Sequence, residues 1–282
     1  MLWTPGNSFL WTVGNQGAVN FGNSMGTSVA AAGSANTKGS DVEILSDTVL
    51  TEDCYLIAVG FVGGSSAASG RNFLVDIKSD PTGGTTWGTI IPNLLTGGPD
   101  ANALGGEWYY FPLYIKAGTA LAAAVQSNVA AAGLRVYVQL FGKPTRPDLV
   151  KAGSFVRAYG VNTGTTEGTA ITPGSTVFSS YVSLASAIAD NIWWWQAGMG
   201  VTDSTQTAMS YLSEIAAGDV TNKITCLDHH IKICTAAEQG SSFPLGKCQQ
   251  DIPSGANVYA RSAASSGAGD TGRSIAAYGL GG

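Results

Sequence analysis

Two adjacent histidines, His229 and His230, sit between Cys226 and Cys234, and imidazole, thiolate and carboxylate are the groups that hold transition metals. If residues 224–234 form one extended strand, Cys226, Asp228, His230 and Cys234 share a face while His229 takes the other, so the ligands are split. At ~3.3 Å per residue the two cysteines would stand roughly 25 Å apart, too far for one zinc unless a turn intervenes. No metal and no other cofactor is therefore expected. Cys234 and Cys248 could pair across neighbouring strands, but the sequence does not report the Cα separation that decides it, and buried thiols are the expected state. Four cysteines (Cys54, Cys226, Cys234 and Cys248) are too few and too uneven for a secreted disulfide framework, which favours a reducing cytoplasm of synthesis.

Nucleophilic catalysis finds no Gly-x-Ser-x-Gly elbow followed by acid and histidine in a workable order. Carboxylate chemistry is better served. Asp76 and Glu214 each stand between apolar neighbours, in Phe73-Leu74-Val75-Asp76-Ile77 and Tyr211-Leu212-Ser213-Glu214-Ile215, with Glu43, Glu52, Asp53 and Glu107 close in sequence to the first. Glycoside hydrolysis needs its two carboxyls roughly 5 to 10 Å apart, whereas equivalent positions of two domains are separated by the domain spacing. Solvent-facing strand residues are the simpler expectation, and the chain is read as no enzyme, with polysaccharide hydrolysis as the remaining catalytic alternative. Trp193-Trp194-Trp195 and Glu107-Trp108-Tyr109-Tyr110 could present flat rings to sugars, although alternation along a strand turns Trp194 away from its neighbours and makes packing the first expectation.

These residues must be positioned by elements that recur. Landmarks repeat at a separation of about 138 residues, the size of a duplicated domain rather than a solenoid unit. Phe21-Gly22 pairs with Tyr159-Gly160, Tyr55-Leu56-Ile57 with Trp193-Trp194-Trp195, Gly60 with Gly198, and Asp76 with Glu214. Phe111-Pro112-Leu113 pairs with Phe243-Pro244-Leu245, and Ile115-Lys116-Ala117-Gly118 with Ile252-Pro253-Ser254-Gly255, with small shifts that loop lengths absorb. Short apolar or alternating runs at residues 54–62, 72–78, 134–141 and 180–185, punctuated by Gly, Asn, Asp and Ser, read as strands. Residues 117–132 are alanine-rich, but Gly118, Thr119, Val125 and Gly133 favour a turn and a strand over a helix.

The expected fold is all-β: two tandem related β-sandwich domains, jelly-roll-like, with an extended N-terminal arm, an immunoglobulin-like sandwich being the alternative. Boundaries follow as an arm over residues 1–20, a first sandwich over 21–142, a proline-containing linker over 143–158 and a second sandwich over 159–282. The arm repeats its own phrase, Leu2-Trp3-Thr4-Pro5-Gly6-Asn7 and Leu10-Trp11-Thr12-Val13-Gly14-Asn15. Trp3 and Trp11 need burial, either on the first sandwich or on a neighbouring subunit. Trp108, Tyr109 and Tyr110 lack aromatic counterparts in the second copy and join Trp3 and Trp11 as candidate partner contacts.

Only 12% of residues are charged, so the surface meets water through hydroxyls, amides and backbone, and desolvating it on association is cheap. A net charge of −5, with 14 scattered Lys and Arg, argues against nucleic acid as a partner. No apolar run is long enough to cross a bilayer as a helix, and Met1 to Gly6 has no signal-peptide pattern. The Gly- and Ala-rich tandem arrangement, with Tyr114-Ile115-Lys116-Ala117-Gly118-Thr119 and Asp251-Ile252-Pro253-Ser254-Gly255-Ala256, resembles tailed-bacteriophage virion structural proteins. That resemblance implies a capsid-decoration, head-fibre, neck or tail accessory role in a virion assembled in the host cytoplasm. Its partners would be other virion proteins and further copies of itself in a homo-oligomer. A surface glycan bound by an adhesin is the alternative partner.

Overall fold

The computed structural model of the chain describes residues 12–15, 26–62, 71–98, 105–142, 151–201, 210–232, 243–244, 250–265 and 273–282. All regular structure among them is β. The first half contributes β1 (Thr12–Gly14), β2 (Thr27–Ala30), β3 (Val42–Leu45), β4 (Leu56–Val62), β5 (Arg71–Asp80), β6 (Gly88–Gly98), β7 (Gly105–Phe111), β8 (Ala120–Ser127) and β9 (Gly133–Phe141). The second contributes β10 (Phe155–Tyr159), β11 (Val161–Asn162), β12 (Glu167–Ile171), β13 (Gly174–Ser175), β14 (Val182–Ala185), β15 (Trp194–Val201), β16 (Ser210–Gly218), β17 (Lys223–Lys232), β18 (Phe243–Pro244), β19 (Asn257–Ala264) and β20 (Arg273–Gly281).

Strand order makes the first sandwich a jelly roll. One sheet runs β1-β9-β4-β7, with β2 also on β9, and the facing sheet runs β3-β8-β5-β6, so from β2 onward consecutive strands cross between sheets except at the β5–β6 hairpin, as two Greek keys require. The second sandwich repeats the plan. Both β10 and β12 flank β20, which pairs with β15, and the facing sheet places β14 and β13 on β19, followed by β16, β17 and β18. The recurrence extends to isolated bridges, Cys54 with Ile115 in one copy and Ile192 with Ile252 in the other, each followed by a glycine in the left-handed region, Gly118 (φ 75°) and Gly255 (φ 86°). One pairing diverges. Phe111 lies on β7 opposite Ile57 of β4, whereas Phe243 lies on β18 opposite His230 of β17, so the matching phrases close different sheets.

Two segments expected outside the sandwiches are built into them. Thr12–Gly14, in the arm, pairs with residues 139–141 of β9, because Asn15 fastens it: its amide donates to Thr27 Oγ1 and the Val136 carbonyl, both at 3.1 Å, and its carbonyl accepts from Val138 N at 2.8 Å. Phe155–Ala158, expected in the linker, belong to β10 and pair with β20.

Alanine does not make β8 a helix, because the whole segment is buried between β3 and β5, where small side chains let two sheets approach. The β5–β6 hairpin is organised by Asp80, whose carboxylate accepts from the Thr82 hydroxyl and amide (2.6 and 2.7 Å) and from the amides of Gly84, Thr85 and Thr86. Those donors hold its carboxyl well below the usual range. Further along the ladder, Val75 faces Leu94 and Ile77 faces Ile91, so Pro92 and Asn93 bulge opposite Asp76, with Asn93 in the left-handed region at φ 50°.

The two sandwiches are pressed into one body. β6 and β7 form an open edge of the first sandwich, and the outer face of the second sandwich's β15–β20–β10 sheet closes it. Tyr278, on β20, is fully buried there; its hydroxyl receives the Leu95 amide at 2.6 Å and donates to the Asn93 carbonyl at 2.9 Å. Tyr109 reaches the same place from β7, meeting the Tyr278 ring edge-on at 5.4 Å and donating to the Leu95 carbonyl at 2.6 Å. A single hydrophobic cluster runs through both halves.

Replacing Tyr278 by Phe keeps the ring and removes the bridging hydroxyl, leaving the buried Leu95 amide without that acceptor. The expected cost is about 1–3 kcal/mol, read from denaturant unfolding as an earlier midpoint of one transition. A midpoint that stays where it was would show that the bridge contributes nothing to the closure.

Candidate functional site

Alternation along β7 decides what each of its aromatics can do. Tyr109 and Phe111 point inward, stacked at 6.3 Å with an interplanar angle of 8°, while Trp108 and Tyr110 lie on the outer face. Tyr109 is 3% exposed and hydrogen-bonded within the chain, so as a contact for another molecule it drops out. Trp108 and Tyr110 are half-buried. Trp3 and Trp11 lie outside the described residues.

The outer pair has a built floor. Gly60 stands opposite Trp108 and Ala58 opposite Tyr110 on β4, and a Cβ at Gly60 would come within 3.1 Å of the indole, so glycine is what lets the ring lie down on the sheet. Tyr137 of β9 meets Trp108 edge-on at 4.5 Å, and Tyr110 lies beside it at 6.3 Å, with 28° between the planes. The Tyr110 backbone is held from the second sandwich, whose Trp194 donates its indole N–H to the Tyr110 carbonyl at 3.0 Å. Burial pushes the Tyr110 hydroxyl up from its ordinary value, which keeps it a neutral hydrogen-bonding group. The result is a small, rigid, neutral aromatic face suited to an apolar or sugar-ring surface.

The other candidate chemistry does not assemble among the described residues. Trp193, Trp194 and Trp195 are 5%, 8% and 0% exposed, which makes them packing rather than a sugar platform. Asp76 and Glu214 lie in different sheets, β5 and β16. Glu214, expected to face solvent, is 4% exposed; it pairs with Arg261 at 2.8 Å and accepts from the Tyr181 hydroxyl. Its burial is tolerated because the guanidinium is sandwiched between Phe178 and Tyr181, at 4.4 and 4.5 Å, and held in place. No group of three His, Cys, Asp or Glu is placed to hold a metal among the described residues. Strict alternation also fails on β17: a bulge between Ile215 and Ala216 of the partner strand sets Cys226 out of register, and both Cys226 and Leu227 are buried.

A cleft of about 600 Å³ lies beside β10, lined by Lys151, Phe155, Asp190, Trp193, Asp251 and Pro253. Its charges are already engaged in part. Lys151 covers the Trp193 ring at 4.4 Å, and Asp190 is tied to Arg157 at 2.7 Å.

No family model matches the chain, and no curated protein does. Among solved structures it is similar to PNGase F, a glycosylasparaginase from Flavobacterium meningosepticum, at 10% identity over 96% of each chain with a TM-score of 0.44. The naturally occurring empty top component of cowpea mosaic virus shares 9% identity over 92% of this chain and 88% of that one, with a TM-score of 0.39. A tandem CBM22 domain of Paenibacillus barcinonensis Xyn10C shares 12% over 97% and 90%, with a TM-score of 0.26. A viral particle is thus among these neighbours, and none of the three is a tailed-phage protein. Likenesses this loose assign the chain no activity and no partner.

Burial has a direct chemical consequence for the thiols. Cys54 and Cys226 are free and buried, and desolvation, joined at Cys54 by the charges of Asp53 and Glu52, pushes both up to about 12. With Cys234 and Cys248 replaced by serine, the native chain should not react with a disulfide reagent at neutral pH and should release both thiols on unfolding. Rapid labelling of the native protein would mean that the segments around Cys54 or Cys226 open.

Proposed function

We propose that the chain is a structural component of a virus particle, of the capsid-decoration, head-fibre, neck or tail accessory kind its sequence resembles, working through protein–protein contacts. The observation that carries this reading is the outer face of β4, β7 and β9. A chain with only 12% charged residues buries the whole of β20, yet keeps Trp108 and Tyr110 half-exposed on a glycine and alanine floor. Such a face is inexpensive to desolvate and costs little side-chain entropy to bury, which suits a permanent interface. The rigid union of two sandwiches suits a part that must hold shape under load.

The arm supplies the second contact in this reading. Residues 12–15 are fastened to β9, and Trp3 and Trp11 precede that fixed point in sequence. Removing residues 1–11 should leave unfolding unchanged and abolish incorporation into particles or formation of the closed oligomer, read by light scattering. Removing residues 1–16 should in addition destabilise the chain, because it takes away Asn15 and its three hydrogen bonds. Normal assembly after the shorter deletion would remove the arm from the account.

A sugar-binding surface is the second reading, favoured by the near-parallel, side-by-side setting of Trp108 and Tyr110. It requires saturable glycan binding that is lost in Trp108→Ala with the fold intact. A glycan array blank for the wild-type chain would end it.

A further inference from the structure

One constellation of polar side chains lies beside the interface and takes no part in the aromatic face. Lys38, in the loop between β2 and β3, places its ammonium 2.9 Å from Asn93 Oδ1 and 2.9 Å from Asp76 Oδ1, with the Leu74 carbonyl at 3.4 Å. Three different elements converge here. Lys38 comes from a loop, Asp76 from β5 and Asn93 from the bulge of β6, and the Asn93 backbone is bonded to Asp76 as well as to the second sandwich.

Asn93 is the most constrained. The bulge opposite Asp76 puts it in the left-handed region at φ 50°; its amide donates to Asp76 Oδ1 at 2.8 Å, and its carbonyl accepts from the Tyr278 hydroxyl at 2.9 Å. With both backbone groups bonded, the Cα of Asn93 is held in place, and from there its side chain reaches Lys38. The side chains of Lys38 and Asp76 are 25% and 14% exposed, so both are largely withdrawn from water. Burial, with the neighbouring Lys78, lowers the lysine below its ordinary value against the opposing pull of Asp76, while Lys78 itself is tied to Asp41 at 2.6 Å. An amine that burial makes less basic than a free lysine, a carboxylate touching that amine and a carboxamide bonded to it are the three parts of an acyl transfer from ammonia to lysine.

We propose that Lys38 and Asn93 are a site of spontaneous intramolecular amide formation, with Asp76 as the catalytic acid and base. Asp76 takes a proton from the ammonium, and the freed Nζ lone pair attacks Asn93 Cγ to form the Nζ–Cγ bond. The carbonyl electron pair moves to Oδ1 and returns as the Cγ–Nδ2 bond breaks. Of the three protons that began on Nζ, one stays on the new amide and two leave on Nδ2, delivered through Asp76, so that ammonium departs and the carboxylate is restored. Nothing is oxidised or reduced, and no co-reactant is consumed. The product is a covalent tie between the β2–β3 loop and β6, the strand on which the second sandwich closes. The proposal stands independently of the virion reading.

The full-length folded chain, held at neutral pH and measured by intact mass spectrometry, should be lighter than its sequence mass by one molecule of ammonia. Proteolysis should yield a branched peptide joining the segments that contain Lys38 and Asn93. Lys38→Arg keeps the charge opposite Asp76 but cannot form the bond, and it should restore the full mass with the fold retained by circular dichroism. Asp76→Asn, which keeps the shape, should leave both residues unlinked. A folded wild-type chain that keeps its full mass after prolonged incubation overturns the proposal. A loss of ammonia that persists in Lys38→Arg also overturns it, because that ammonia would come from another asparagine. A branched peptide still formed in Asp76→Asn overturns the role given to the aspartate.

Discussion

Two sheets packed face to face cover their inner surfaces, but the strands at their margins still present unpaired backbone and half-covered side chains. In this chain one such margin, between β6 and β7, is closed by the outer face of another sheet of the same polypeptide. The residues at the contact have opposite shapes on the two sides. The first sandwich offers Leu95 and Tyr109; the second answers with Gly198, Gly200, Ala276 and Ser274 on one face of β15 and β20. A Cβ at Gly198 would come within 2.3 Å of the Tyr109 hydroxyl and 3.2 Å of the Leu95 carbonyl. Small residues around Tyr278 on one side, facing Leu95 and Tyr109 on the other, let the backbones approach, and the two tyrosine hydroxyls satisfy the Leu95 and Asn93 backbone groups buried there.

The same position explains why the two copies have diverged. Gly60 and Gly198 hold equivalent places, the first opposite Tyr137 and the second opposite Ala276. In the first sandwich the space above the glycine is taken by Trp108 from its own β7. In the second it is taken by β6 and β7 of its neighbour, so a large residue at 276 would separate the halves. The two sandwiches share one strand plan, and the side chain on its outer face decides which is covered from within the chain and which keeps an aromatic surface half-exposed.

Much of this was legible in the sequence, for reasons that differ by element. The spacing of about 138 residues located equivalent strands because insertions fall in loops and leave strand register alone, as Tyr55 to Ile57 against Trp193 to Trp195 shows. Alternation separated Trp194 from its neighbours for the same reason. Tyr109 is buried, and nothing local distinguishes an aromatic facing the core from one facing a partner until the strand's orientation is known. Glu214 was misread because its charge is neutralised by Arg261, distant in sequence. The bulges on β6 and β17 left no sign beyond Pro92 and an ordinary Asn93, yet they decide which side chains share a face.

The Lys38, Asp76 and Asn93 cluster shows what such a bulge can do. A regular ladder would set a β6 residue directly opposite Asp76 and turn its side chain with the pleat. The extra residues let Asn93 donate its own amide to the carboxylate and aim its carboxamide across the strand at Lys38. A lysine and aspartate drawn partly out of water gain little as an ion pair once desolvation is counted, so pair formation alone is a weak reason for the sheet to hold a left-handed asparagine there. Backbone strain of this kind persists only where surrounding contacts over-determine it, and here those contacts include Tyr278 from the other sandwich. Closure of the open edge and orientation of the asparagine are thereby one event, since the hydroxyl that seals the margin also fixes the carbonyl of the residue at the bulge.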